Sequence, residues 1–155
     1  MKKISSFVLL SLVLLVGFGC NKNTSCTPKT VASEVATMQN FANTNGMTVL
    51  THSSGMLYQI VNPGSGLTPT LTSRVSVRYT GKLMNGTIFD SNTGVPVQFL
   101  LNQVVAGWQL GLPLIKKGGT IRLIIPSSLA YGCNSTGPIP GDSVLYFEIE
   151  LVDVL

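Results

Sequence analysis

Residues 77–91 (VRYTGKLMNGTIFDS) decide the fold of this chain. Apolar and polar residues alternate from residue 74 to residue 80, where this stretch begins, so Val75, Val77 and Tyr79 lie on the same side of the strand. This period of two residues is typical of a half-buried β-strand. Asn85-Gly86 then favours the two-residue turn that joins antiparallel strands. The stretch therefore predicts a β-hairpin.

The predicted hairpin brings the returning strand close to Tyr79. Phe89 and Asp90 lie on that strand, so an aromatic hydroxyl, an aromatic ring and a carboxylate share one wall. A hairpin with a packed inner face would show the same pattern. The wall is therefore a candidate site whose significance depends on the rest of the chain.

The N-terminus carries the pattern of a secretory signal. Two lysines precede an apolar run over residues 7–18, which is shorter than the roughly 17–25 residues of a membrane-spanning helix. We predict a signal peptide over residues 1–19. Its removal takes away two lysines and no acidic residue, so the net charge falls from +4 to +2. Because no basic run remains, nucleic acid is not an expected partner.

The end of this signal resembles that of a bacterial lipoprotein, in which the cysteine after the cut receives a lipid. Here that cysteine is Cys20, although Gly17 and Phe18 replace the usual Leu and small residue. Ordinary small-x-small cleavage would cut the same bond. Acylation of Cys20 leaves Cys26 and Cys133 as an even pair for a possible disulfide in an oxidising compartment. We expect an exported protein of the cell envelope with a lipid anchor, and Asn21 favours the outer membrane.

Residues 20–54 are predicted to form a tether and an N-terminal helix. Apolar residues at Val31, Val35, Met38 and Ala42 follow helical spacing between residues 30 and 45. The helix either packs on the following domain or serves as a dimerisation arm, and its short length favours packing.

Residues 55–155 are predicted to form one domain. Beyond the hairpin, we predict strands over residues 56–61, 97–100, 120–125 and from residue 145 to the end, with a short loop over residues 91–96. A short helix over residues 104–112 places Trp108 on its inner face. A long loop over residues 127–143 separates the last two strands, and loops of this length in compact domains are usually functional.

The candidate functional residues of this chain are mainly aromatic. The sequence predicts no nucleophile with its base, no metal-ligand cluster and no phosphate-binding glycine loop. What remains is one carboxylate, Asp90, and six aromatic residues: Tyr79, Phe89, Phe99, Trp108, Tyr131 and Phe147. Such residues could also form a simple core.

Five separated motifs resemble the FKBP-type peptidyl-prolyl isomerases: VRYTGKL, GTIFDS, VVAGW, AYG and the pair IP with LYFEIEL. They occur in order over residues 55–155. The resemblance implies the α+β class, with a curved antiparallel sheet wrapped around one short helix. It also implies isomerisation of prolyl bonds in unfolded or exported polypeptides, without a cofactor or metal, and a pocket that macrolide inhibitors could enter.

The resemblance also implies a set of site residues. The catalytic positions would be Tyr79, Asp90 and Tyr131. The substrate-binding positions would be Phe89, Val104, Val105, Trp108, Ile139 and Phe147. Trp108 and Phe147 would hold the prolyl ring, while the Ile139 backbone N–H and the Tyr131 hydroxyl would bind substrate carbonyls.

Two departures from the family pattern concern the rim of the predicted pocket. Val97 stands where the family often has Phe, and no Arg in residues 91–96 can pair with Asp90. These departures weaken the case for macrolide affinity more than the case for isomerisation. A non-catalytic polypeptide-binding chaperone module on the same fold is the alternative, and a structural envelope lipoprotein is a third hypothesis.

Isomerisation suits a site without reactive groups. Rotation of a peptide bond crosses a barrier of about 18–20 kcal/mol, and the twisted amide is less polar than the planar one. A dry aromatic pocket would therefore bind the transition state better than the ground state. Plain peptide binding would use the same pocket.

Overall fold

The computed structural model describes residues 26–155. The predicted signal peptide and Cys20 lie outside this range. Among the helices within it, none combines the length and the apolarity that crossing a bilayer requires.

Six strands form one antiparallel sheet in the order β1-β2-β5-β6-β3-β4. The strands are β1 (Leu50–Thr51), β2 (Leu57–Asn62), β3 (Arg74–Leu83), β4 (Ile88–Leu100), β5 (Gly119–Ile125) and β6 (Leu145–Val154). Two helices accompany them, α1 (Val31–Thr44) and α2 (Ala106–Gly111). The predicted α+β class, an antiparallel sheet with one short helix and an additional N-terminal helix, is confirmed.

The two helices cover opposite faces of the sheet. Alternate residues of β5 separate the two cores: Leu123 and Ile125 pack with Trp108 of α2, whereas Ile124 packs with Met38 of α1. This follows from the period of two residues in a strand. The pocket described below lies on the α2 side.

Helix α1 begins at Thr30, whose hydroxyl accepts a hydrogen bond from the Ser33 N–H at 3.3 Å. The predicted helix is confirmed, but its buried face is shifted. Its buried residues are Glu34, Met38 and Ala42, a row with a spacing of four, whereas Val35 is 42% exposed. The expectation that Val35 faces the domain is therefore wrong, because a glutamate takes that place.

Strand β4 differs from its prediction. It runs without interruption through the expected loop over residues 91–96, and Ser91 and Asn92 pair with β3. The register then jumps, because Val77 pairs with Val97 while Tyr79 pairs with Asn92. Residues 93–96 form a bulge opposite Arg78, whose Nε donates to the Gly94 carbonyl at 2.8 Å. The strand continues because this side chain supports the bulge from β3.

Candidate active site

The predicted aromatic residues surround one cavity of about 290 Å³. Strands β3, β4 and β6, helix α2 and the chain after β5 contribute its walls. The lining residues are Tyr79, Phe89, Asp90, Phe99, Gln103, Val104, Val105, Trp108, Tyr131 and Phe147. Every predicted site residue of the cavity is therefore present except Ile139.

Trp108 forms the centre of the aromatic wall and is 4% exposed. Its ring meets Tyr79, Phe99 and Phe147 edge to face, with centroids 5.2, 6.0 and 5.2 Å away. Aromatic pairs prefer this arrangement because a positive ring edge faces a negative ring face. The four rings therefore support one another in a rigid apolar surface.

Phe89 and Phe147 complete this wall next to a glycine. Their ring centroids lie 5.4 Å apart, and both rings press against Gly81 of β3. A Cβ atom at Gly81 would lie 2.6 Å from the Phe89 ring and 2.8 Å from the Phe147 ring. Glycine at this position therefore allows the two rings to meet behind the cavity.

Helix α2 reaches the cavity because it lies unusually close to β5. Cβ atoms at Gly107 and Gly111 would fall 2.5 Å from Ile125 and 2.6 Å from Leu123, respectively. Both contacts are shorter than a carbon–carbon contact allows. The two glycines thus allow α2 to pack closely on the sheet. This close packing determines how deep Trp108 lies in the wall of the cavity.

Tyr79 and Asp90 form the polar part of the wall. The Tyr79 hydroxyl donates to Asp90 Oδ2 at 2.7 Å. Burial raises the pKa of Tyr79 well above its ordinary value, and the hydrogen bond to Asp90 raises it further. The hydroxyl is therefore a protonated donor at neutral pH. Ion pairs within residues 26–155 involve Glu148, Glu150 and Asp153 but not Asp90.

Tyr131 enters the cavity from the segment over residues 127–143, which we call the pocket loop. Its side chain is 37% exposed, and its hydroxyl makes no hydrogen bond with residues 26–155. The pocket loop begins with a 3₁₀ turn (Ser127–Leu129). Its later part is closed by a bridge between Thr136 and Ile139.

Ile139 does not fit the role that the resemblance implied. It is 5% exposed and packs in the core below the cavity. Its backbone N–H donates to the Thr136 carbonyl at 3.0 Å. A substrate carbonyl would have to compete with this hydrogen bond, so the predicted donor is occupied.

Val105 offers a backbone donor in its place. It lines the cavity at the start of α2, where its carbonyl accepts from the Trp108 N–H at 2.9 Å. Its own N–H finds no acceptor within residues 26–155. The first N–H groups of a helix lack partners within the helix, so this group can receive a ligand carbonyl.

Two further residues line the cavity beyond the predicted site positions. Phe99 was among the six candidate aromatic residues but received no role; it lies on β4 two residues after Val97, and this alternation with period two was a usable signal for a shared face. Gln103 was missed, because it is a polar residue at the end of a 3₁₀ turn (Leu101–Gln103) and no pattern in the sequence marks it.

The pocket loop is covalently joined to the N-terminal segment. Cys26 and Cys133 form a disulfide with their Cα atoms 5.7 Å apart, a usual separation for this bond. The arrangement as a whole offers apolar walls and a few hydrogen-bond donors. Within residues 26–155, no group of three or more His, Cys, Asp or Glu side chains is placed to hold a metal ion.

Comparison with known proteins agrees with this geometry. The sequence pattern of a family described as "FKBP-type peptidyl-prolyl cis-trans isomerase" matches residues 66–152. A "probable FKBP-type peptidyl-prolyl cis-trans isomerase" from Haemophilus influenzae is 47% identical over 112 residues, which is 70% of this chain and 46% of that protein. This chain thus spans about half the length of the curated relatives it matches.

Two solved structures show the same fold. The crystal structure of FkpA from Escherichia coli has a TM-score of 0.70 at 40% identity, covering 80% of this chain and 60% of that one. A peptidyl-prolyl cis-trans isomerase from Pseudomonas syringae has a TM-score of 0.68 at 35% identity, covering 83% of this chain and 98% of that one.

Proposed function

This chain belongs to the FKBP-type peptidyl-prolyl cis-trans isomerase family, and we propose that it isomerises X–Pro bonds in exported polypeptides. The observation that carries this proposal is the set of rings around Trp108. Their edge-to-face contacts build an apolar surface in a cavity of about 290 Å³. No covalent step is needed there.

The proposed mechanism is differential binding of the twisted amide. The planar amide owes its barrier of about 18–20 kcal/mol to resonance, which also makes it polar. Transfer from water into the aromatic cavity costs the twisted amide less, because its dipole is smaller. The transition state is therefore bound more tightly than the ground state, which accelerates rotation.

The lining residues take distinct roles in this proposal. Trp108 lies under the prolyl ring, with Phe147 beside it. The Val105 N–H and the Tyr131 hydroxyl bind substrate carbonyls and keep the peptide in register. Asp90 places a negative charge at the rim, where it acts on the rotating carbonyl, and Tyr79 holds its carboxylate in place.

The location of the enzyme is part of the proposal. The signal-like residues 1–19 and the cysteine that follows them support export and a lipid anchor at Cys20. The clients would then be polypeptides that fold in the cell envelope. A macrolide would enter the same cavity, but its affinity should be low because no Arg within residues 26–155 pairs with Asp90.

The test is the cis–trans exchange of a proline-containing peptide, measured with wild-type protein and with Trp108→Leu. Wild-type protein should accelerate exchange. The variant keeps apolar filling but removes the flat surface, so kcat/KM should fall, with a stability cost of about 1–3 kcal/mol. Wild-type protein that suppresses aggregation of an unfolded client without accelerating exchange would instead support the non-catalytic chaperone module.

A further inference from the structure

We propose that the N-terminal clamp, residues 26–34, positions Tyr131 in the candidate active site, with Glu34 as its principal positioning residue. This inference rests on the proposed function, because it assigns a role in that same site. It adds a role to residues 20–54, for which the sequence predicted a tether and a helix that either packs on the domain or serves as a dimerisation arm.

Glu34 makes the first contact of the N-terminal clamp. It lies on α1 and is 3% exposed, and its Oε2 accepts a hydrogen bond from the Ser127 N–H at 2.9 Å. Its other oxygen, Oε1, has no partner within the described residues. Burial of a carboxylate is costly unless it is fully paired. An apolar residue at this position, like Met38 and Ala42 on the same face, would let α1 pack on the domain at a lower cost in free energy. Packing alone therefore does not account for this glutamate.

Ser127 transmits this contact to Tyr131. Its carbonyl accepts from the Ala130 N–H at 3.0 Å and from the Gly132 N–H at 2.8 Å. These two donors flank Tyr131 on either side. Ser127 therefore donates its N–H to Glu34 and, through its carbonyl, accepts the two hydrogen bonds that fix the backbone around Tyr131.

Two more contacts of the clamp reach the other side of Tyr131. The Lys29 N–H donates to Asp142 Oδ1 at 3.3 Å, and the Asp142 N–H donates to the Gly132 carbonyl at 2.8 Å. Asp142 has a positive φ of 57°, which is uncommon for a residue other than glycine. The disulfide from Cys26 ends at Cys133, two residues after Tyr131.

The position of Tyr131 depends on these backbone contacts because its side chain is not held by hydrogen bonds of its own. Its hydroxyl is unbonded within residues 26–155, and its ring is partly exposed. A donor that must meet a substrate carbonyl has to be held by its main chain, since small displacements of a catalytic group are costly. The three contacts of the clamp meet this need, because Cys133 lies two residues after Tyr131 and because Ser127 and Asp142 hydrogen-bond to the residues that flank Tyr131.

The first test compares Glu34→Ala, Glu34→Gln and Met38→Ala. Met38 lies one turn later on the same face of α1 and belongs to the apolar cluster around Ile124, whereas the hydrogen bond to Ser127 comes from Glu34, so Met38→Ala controls for loss of stability. Below the unfolding transition, Glu34→Ala should lower kcat/KM on the order of fivefold, the effect of losing one hydrogen bond of ordinary strength. Glu34→Gln, which keeps an acceptor oxygen, should recover part of the loss, and Met38→Ala should lower only the Tm.

A double-mutant cycle separates positioning from a structural effect. If Glu34 acts through Tyr131, Glu34→Ala should change kcat/KM much less in a Tyr131→Phe background than in wild-type protein. Equal losses in both backgrounds would overturn the proposal. The double variant Cys26→Ser/Cys133→Ser should change kcat/KM in the same direction as Glu34→Ala.

Hydrogen exchange tests the clamp without reference to activity. The amides of Ala130 and Gly132 should exchange about tenfold faster in Glu34→Ala than in Met38→Ala, because local opening becomes easier. Equal exchange in the two variants would overturn the clamp even if the wild-type protein is active. A wild-type protein without isomerase activity would instead refute the proposed function, whereas the exchange result would still decide whether the clamp exists.

Discussion

Tyr79 and Asp90 show how a carboxylate at the rim of the cavity is held without an ion pair from residues 26–155. The phenol donates to the carboxylate at 2.7 Å, which is the short distance of a charge-assisted hydrogen bond. A neutral donor fixes the orientation of Asp90 but does not cancel its charge. The negative charge therefore stays available to the substrate, at the exposed side of the cavity.

Replacement of Asp90 by Asn tests the importance of that charge. The variant conserves size and polarity, so we expect little change in Tm. On the isomerase hypothesis, kcat/KM for prolyl peptides should fall about tenfold, or about 1.4 kcal/mol in barrier height. A binding module without turnover would show no kinetic effect, and an unchanged kcat/KM would remove Asp90 from the proposed mechanism.

The same variant should lower the pKa of Tyr79, which absorbance at alkaline pH can follow. Burial would still raise that pKa, but the charge of Asp90 would be lost and the hydrogen bond would be weakened, because a neutral amide oxygen replaces the carboxylate as acceptor. A tyrosine with a raised pKa stabilises the fold below its unfolded pKa of about 10, and this stability is lost as the pH rises further. Wild-type protein should therefore lose more unfolding free energy above that pH than Asp90→Asn, and equal losses would argue against the hydrogen bond.

Individual site residues were predictable where a motif of side chains carried them. Tyr79, Phe89 and Trp108 lie in such motifs, and the structure places them around one cavity. Ile139 failed because the hydrogen bond of its N–H depends on the local turn, which side-chain patterns do not reveal. Glu34 escaped notice because a charged residue in a helical row is normally assigned to solvent, and only tertiary contacts show its burial.

At the scale of elements, the contact between α2 and β5 determines where the cavity floor lies. Gly107 and Gly111 are four residues apart, so both lie on the same side of the helix. That side faces Ile125 and Leu123 of β5. A helix with larger residues at these positions would stand farther from the sheet and would raise Trp108 into the cavity.

Gly107→Ala should therefore destabilise the protein, although alanine is the better helix former by about 1 kcal/mol. Overpacking against Ile125 should outweigh that gain and cost about 1–3 kcal/mol in unfolding free energy. Denaturant unfolding, followed by Trp108 fluorescence, measures this difference. Gly94→Ala is the matched control, because a Cβ atom at Gly94 meets nothing within 4 Å. A loss at Gly94 equal to that at Gly107 would contradict the close-contact explanation.

Most elements could be predicted because each has a local cause. The hairpin around Asn85-Gly86 and the helical spacing of Met38 and Ala42 are encoded within a few residues, although residues 84–87 connect β3 and β4 where a two-residue turn was predicted. Strand β4 was only partly predictable, because the bulge over residues 93–96 is held by Arg78 from the neighbouring strand. Its Nε bond to Gly94 spans 16 positions in sequence, and period-based reasoning does not reach that far.

For the whole molecule, the placement of β6 makes the fold depend on its last strand. β6 lies between β5 and β3 and pairs with both. It also supplies Phe147 to the cavity. Because chains are synthesised from the N-terminus, the complete sheet and the pocket can form only after β6, the last of the six strands, has been made.

The lipid anchor is a prediction for the mature protein as a whole. Protein extracted in detergent should have the mass of the polypeptide from Cys20 to Leu155 plus a diacylglycerol group. The reason is that the apolar run over residues 7–18 ends just before Cys20. Cys20→Ser provides the control, and it should appear in the soluble fraction. A wild-type mass without lipid would contradict the prediction.

The disulfide between Cys26 and Cys133 would also limit how far a lipid-anchored protein could move away from its membrane. From a lipid on Cys20, a fully extended chain to the first residue of α1 would reach roughly 36–40 Å. To Cys26, where the disulfide joins the chain to the pocket loop, it would reach only roughly 20–22 Å. The mouth of the cavity would then work in a thin layer above the membrane, and polypeptides close to that surface would meet it at a far higher local concentration than those in the surrounding fluid.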